Sequence, residues 1–357
     1  MPRNMIDANS RLFAKLAAKC QDLVSPDILT QKRAIRTDES EKEWLQQLKL
    51  WSSEHLILDS TSRFALGEYG DHLFLVGIGI ELSSPPTELQ PTPLNPGIFT
   101  AICSELDVPI IASESLAQQL LEYVFYPVDG AYELLDMDVV APYFQKINVY
   151  LIDPNSAIAA DKEFSFRAAI AAALAAPSAQ ALVWPETALE RLGFMVRDPS
   201  ECAPFHLLLR ALTETRNDAT FLALYRCVEQ LFPVPKIAEL SSDLGLSGPA
   251  LGVAAAIERR LGWRRKEDDA IEHLFSDLDS SLIDRLRPIV GAANQAEHQA
   301  RAVSKRIYDL RNQCVHFRPA HATGPALAVD DWATLFDLML EAVQCLYAKY
   351  ADAFTPE

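Results

Sequence analysis

The chain has 357 residues, enough for two domains of ordinary size, and its 49% hydrophobic and 23% charged residues exclude a disordered or fibrous class. A formal net charge of −17 excludes general affinity for nucleic acid through the average field, so any such binding must be local. The most apolar run, AAIAAALAA at 168–176, falls far short of the roughly 20 residues that span a bilayer, and Asp7, Arg11, Lys15 and Lys19 interrupt the apolar positions where a secretory signal would be continuous, which predicts a cytoplasmic protein with no membrane partner.

In chain order, LFAKLAAKCQDLV (12–24) and ESEKEWLQQLKLW (39–51) have helical spacing. HLILDS (55–60), FALGEY (64–69), HLFLVGIGIEL (72–82) and INVYLI (147–152) are short, apolar and partly alternating, as strands are. Between them SSPPTELQPTPLNPG (83–97) carries five prolines and reads as a long loop or internal linker. GIG at 77–79 and GLSGPALG at 245–252 lack the further residues of a phosphate-binding loop and read as turns.

From about 203 onward the pattern is helical throughout: FHLLLRAL, ATFLALYRCVEQLF, the breaker PVPK (233–236), PALGVAAAIERRLGW, DDAIEHLF, SSLIDRLRPIV, a segment from about 292 to 317, and DDWATLFDLMLEAVQCLYAKYADAF. In the last of these Trp332, Leu335, Met339, Val343, Leu346 and Tyr350 recur at three- and four-residue spacing, with Asp330 or Asp331 placed to cap the start. The acidic triplet Glu267, Asp268, Asp269 suits a helix N-terminus, where carboxylates meet the positive end of the dipole. The fold class expected is therefore mixed. An α/β (α+β) domain over 1–200 is followed by an all-α helical bundle over 201–357, with the boundary in DPSECAP near 198–204.

Six cysteines are scattered with no C-x-x-C pair, which predicts reduced, mostly buried thiols. Cys202 and His206 have the i, i+4 spacing of two zinc ligands, but no second pair follows, and neither a metal nor a cofactor is expected.

The stretch KRIYDLRNQCVHFRPAH (305–321) places polar residues within a helix that has to pack. Val303, Ile307, Leu310, Cys314 and Phe317 form one stripe. At about 100° per residue, Arg311 lies roughly 80° from the stripe's centre, with Asn312 nearly opposite and His316 one turn beyond Asn312. All three are thus expected to point away from the core. Pro319 disfavours helical geometry at Arg318, so the helix should end there. Over 301–318 five basic side chains, Arg301, Lys305, Arg306, Arg311 and Arg318, stand against Asp309 alone.

RNQCVH within IYDLRNQCVHF, on the penultimate helix of a bundle, resembles the R-x(4 to 6)-H motif of the HEPN superfamily, in the style of Apea-like members. The resemblance covers about 204–354. It implies an α-helical bundle acting as a metal-independent endoribonuclease, with two copies forming one cleft; other members have lost activity and serve as dimerisation or partner-binding modules.

Carried to this sequence, the motif positions are Arg311, Asn312 and His316. Attack of a ribose 2′-hydroxyl on the adjacent phosphate needs a group that titrates near neutrality, which is the role of His316. Charge growing on the phosphoryl oxygens needs a forked cation, which is Arg311, and Asn312 would orient the imidazole or a phosphate oxygen. Lys305, Arg306 and Arg318 would hold the RNA backbone. Some family members add an acidic residue on the first bundle helix, for which Glu229 is the candidate. Residues five apart on a helix diverge by about 140°, so Arg311 and His316 would converge more readily with a second copy's help, which predicts a homodimer. The expected partners are RNA, a second copy and an inhibitor or antitoxin protein. A role as toxin or phage-defence effector follows, the first domain sensing or restraining. The competing expectation is a non-catalytic dimerisation or partner-binding module.

Overall fold

In the computed structural model, residues 3–29, 31–122, 133–159, 164–245, 250–261, 266–293, 298–315 and 327–354 are described. The chain divides into two compact units, Met1–Ala179 and Gln180–Glu357.

In the first unit helices α1 (Met5–Lys19), α2 (Pro26–Leu29) and α3 (Glu39–Gln47) are interleaved with strands β1 (Arg33–Ile35) and β2 (Lys49–Trp51). Strands β3 (Arg63–Tyr69), β4 (His72–Ile78) and β5 (Leu89–Thr92) follow, then α4 (Pro96–Glu105), α5 (Glu114–Glu122), β6 (Glu133–Leu135), α6 (Met137–Val140), β7 (Ile147–Ile152) and α7 (Phe164–Leu174). A five-stranded antiparallel sheet has the order β2-β3-β4-β7-β5, and β1 pairs with β6 in parallel. Gly70, at φ +59, takes a place in the tight β3–β4 turn that L side chains disfavour. The core gathers the face of α1 that carries Leu12, Phe13 and Leu16 with α4 and the inner residues of β4 and β7.

Local chemistry explains where the sequence-based expectations miss. The helical spacing of 39–51 holds only to Gln47: the capping box of Asp38 and Glu41 starts α3, and Lys49–Trp51 then pairs with β3. HLILDS is not a strand. It holds a single 3-10 turn at Glu54–Leu56 and one bridge, Ile57 to Arg63, because Asp59 accepts hydrogen bonds from the Thr61 and Ser62 amides and folds the chain back. The proline-rich stretch is partly regular. Pro91 lies in β5, an edge strand where a missing N–H costs no ladder bond, and Pro96 opens α4 behind the Asn95 cap. Of the GIG residues, Gly77 is paired within β4 and Gly79 turns the chain at φ +71.

The second unit is all helix: α8 (Glu186–Arg197), α9 (Phe205–Thr213), α10 (Asn217–Glu229), α11 (Val234–Leu244), α12 (Ala250–Leu261), α13 (Glu267–Ser276), α14 (Ser280–Ile289), α15 (Gln299–Val315) and α16 (Val329–Lys349). Its beginning at 180 rather than 201 has a cause. Helix α8 lies along α16, where Arg191 Nη2 is 2.8 Å from Glu341 Oε2 and Thr187 donates to Asp337 at 3.0 Å, so DPSECAP joins two helices of one unit. PVPK separates two helices as expected and also begins the second: α10 has ended at Glu229, and Pro233 and Pro235 occupy the N-cap and first turn of α11, where no intrahelical N–H is needed. Gly245, at φ +61, closes that helix and Gly252 lies inside α12. The stripe on α16 is buried at Trp332, Leu335, Met339, Val343 and Leu346, and its N-cap is Ala328, so Asp330 and Asp331 act through the first-turn dipole rather than as caps. Phe221, Trp332, Phe336 and Trp184 form a continuous aromatic chain with ring centroids 5.3–6.1 Å apart. All six cysteines are free, and three, Cys20, Cys103 and Cys227, are buried. Among the described residues no helix is long and apolar enough to cross a membrane.

Gly97 fixes the approach of α4 to α3, because a Cβ there would stand 1.8 Å from the Glu41 carbonyl oxygen. Gly97→Ala should therefore push the helices apart and destabilise the first unit by about 1–3 kcal/mol, read as a lower urea midpoint. An unchanged midpoint would show that this spacing is not fixed.

Candidate functional site

Helix α15 packs against α13, α14 and α10. Val303, Ile307 and Leu310 are buried, as the stripe requires, and Cys314 is half-buried, its thiol pushed up to about 12 by burial. Phe317, His316 and Arg318 lie outside the described residues.

Arg311 does not point off the core. Its side chain is 19% exposed and lies among α10, α13 and α15. Nη1 donates to Asn312 Oδ1 at 3.1 Å, and Nη2 is 3.9 Å from Glu229 Oε1 and 3.7 Å from Glu267 Oε2. The guanidinium carbon is 6.0 Å from the centre of the Tyr225 ring. The reason is the width of the buried arc on α15. Ser304, seven residues before Arg311 and so on nearly the same line of the helix, is 1% exposed. With neighbours on several sides, a position 80° from the stripe's centre still faces protein.

The other basic residues divide. Arg306 is exposed, yet its Nε donates at 3.0 Å to the carbonyl of Val290, the C-cap of α14, so part of its donor set is structural. Arg301 stands 3.5 Å from Glu272, and Lys305 is exposed. The expected basic strip is thus substantially used within the bundle. Around Arg311 the field is acidic, since Glu267 is the first residue of α13 and Asp268 and Asp269 follow in the same turn.

Glu229 ends α10, and burial raises its carboxyl above the ordinary range; Arg311 opposes the shift and Glu267 adds to it. Tyr225, one turn before Glu229, is 1% exposed, and among the described residues its hydroxyl has no hydrogen-bond partner. Burial first, then the charges of Glu229 and Glu267, raise that hydroxyl's pKa, so it keeps its proton as a donor.

The structure therefore brings together Arg311, Asn312 and Glu229, and adds Tyr225 and Glu267, which the sequence reading placed in a core helix and at a helix start. The i, i+4 spacing of Tyr225 and Glu229 was the available signal, since it sets both on one face of α10. No family model matches the chain, and no curated protein or solved structure matches it.

Two predictions follow from this geometry. An acid whose pKa is raised by folding costs stability once pH passes its unfolded value, so Glu229→Gln should melt higher than wild type at pH 8, and the difference should close below about pH 4. Equal melting temperatures at both pH values would show that Glu229 ionises at no cost. Arg311→Ala leaves two carboxylates facing each other and removes the cation from the Tyr225 ring. It should cost about 1–2 kcal/mol in urea unfolding, between the values for exposed and buried pairs, whereas a surface arginine would cost under about 0.5 kcal/mol.

Proposed function

We propose that the second unit is a metal-independent endoribonuclease of the HEPN kind, with Arg311, Asn312 and His316 as its catalytic residues. The observation that carries this reading is the Arg311–Asn312 pair. The guanidinium is anchored through Nη1 at 3.1 Å, while Nη2 reaches the carboxylates only at ion-pair distances of 3.7 and 3.9 Å, so among the described residues part of its donor fork is not spent on hydrogen bonds. His316 follows Asn312 by four residues in the sequence.

In the reaction so assigned, the ribose 2′-oxygen bonds to phosphorus as its proton passes to a base, and the bond to the 5′-oxygen breaks as that oxygen gains a proton. The products are a 2′,3′-cyclic phosphate and a 5′-hydroxyl. His316 moves the proton and Arg311 meets the charge on the non-bridging oxygens. Lys305, with Arg306 and Arg318, would contact neighbouring phosphates. A second copy would complete the cleft, and the first unit would sense or restrain it, as suits a toxin or defence effector.

The second reading, a non-catalytic module that binds a partner, is favoured by the acidic surroundings of Arg311 and the net charge of −17. Incubating the protein with RNA in EDTA separates the two. Cleavage leaving cyclic phosphate ends, lost by about 100-fold or more in His316→Ala and in Arg311→Ala, is the outcome expected. Intact RNA, or cleavage indifferent to His316, would give the second reading the field.

A further inference from the structure

The cluster around Arg311 has a charge imbalance that bears on which phosphate it can take. One guanidinium faces two carboxylates, Glu229 and Glu267, and all three side chains are only partly exposed, at 19%, 37% and 39%. A singly charged phosphodiester entering beside Arg311 meets one attraction and two repulsions, and a doubly charged terminal phosphate meets each of these twice over. Neither carboxylate is within hydrogen-bond distance of Nη2, so an incoming oxygen need not break a directed bond to reach it. Beside them lies the buried Tyr225 hydroxyl, which feels all three charges and has no hydrogen-bond partner among the described residues. Glu229 closes α10 from a half-buried position. Glu267 is the first residue of α13, 3.7 Å from Nη2, with its side chain 39% exposed.

We infer that Glu267 is a specificity-determining residue of the Arg311 site: its carboxylate competes with the ligand for the guanidinium, admitting singly charged phosphodiesters and turning away doubly charged terminal phosphates. This rests on the reading of Arg311 as a phosphate-contacting residue, and gives it a selectivity toward internal linkages set by this chain's own acidic side chain. Glu267 acts on the ligand by charge, without contributing a donor.

The test is a titration of the full chain followed at the Arg311 Nε–H signal by NMR, with dimethyl phosphate as the monoanion and phenyl phosphate at pH 8 as the dianion. In wild type dimethyl phosphate should bind more tightly. Glu267→Gln should tighten both and the dianion by about tenfold more, the size expected when one like charge a few ångströms away is removed. Glu267→Ala should act in the same direction, which guards against a defect peculiar to the amide. Unchanged discrimination in both variants, or no response of Arg311 to either anion in any of the three proteins, would overturn the inference. RNA cleavage assayed on the same samples keeps the two claims apart. Discrimination without Arg311-dependent cleavage retains the gate and removes the nuclease, and cleavage without discrimination does the reverse.

Discussion

The site depends on where the guanidinium of Arg311 is held. Two unit charges 4 Å apart interact by about 1 kcal/mol in water and about 4 kcal/mol at an effective dielectric of 20. Side chains exposed by 19–39% fall between those limits, so the attraction from Glu229 and Glu267 keeps Arg311 among the helices without the geometry of a closed, bidentate pair. The face of Tyr225 adds a cation–π contact on the apolar side. Together they place an arginine where a bundle would ordinarily put an aliphatic residue, and leave part of its fork undirected. The same balance raises the pKa of Glu229, because burial and a second carboxylate outweigh the opposing charges of Arg311 and Arg226.

How much of this was legible in the sequence differs by kind of signal. Periodicity places the buried residues of α15 and α16, because a 3.6-residue repeat over many turns leaves little choice of face. The mixed first half and helical second half are equally plain. Proline was misread twice, at Pro91 and Pro96, and Pro233 marks a helix start as well as a break. Its meaning depends on whether a strand is at the edge and whether a helix is starting, and both are tertiary facts. The unit boundary was displaced because turn formers mark any sharp connection, and it takes tertiary contacts such as Arg191 with Glu341 and Thr187 with Asp337 to show which side α8 belongs to.

At the site, the sequence supplied residue types and their helical phase, and it could not supply the neighbours. A phase angle states how far Arg311 stands from one stripe. Whether that direction is solvent depends on how many helices surround α15, which Ser304 hints at only after its burial is known. Glu267 is instructive in the same way. Its fitness for a helix start is local chemistry and was readable, whereas its approach to Arg311 joins two segments 44 positions apart through the packing of α13 on α15.

The net charge of −17 constrains any reading that involves RNA, and the fate of the basic residues sharpens the constraint. On α15 Arg301 is paired with Glu272 and Arg311 is bracketed by carboxylates, so part of the helix's positive charge is offset before any ligand arrives, while Arg306, bonded to a neutral carbonyl at the end of α14, keeps its charge. A protein that neutralises few phosphates gains little from counterion release, and its affinity for nucleic acid must then be modest and only weakly dependent on salt. Discrimination would have to come from the shape and charge of a short segment at Arg311 rather than from a long electrostatic footprint. In such a site the carboxylates that weaken capture also decide which anion is captured, and affinity is given up to the same side chains that provide selectivity.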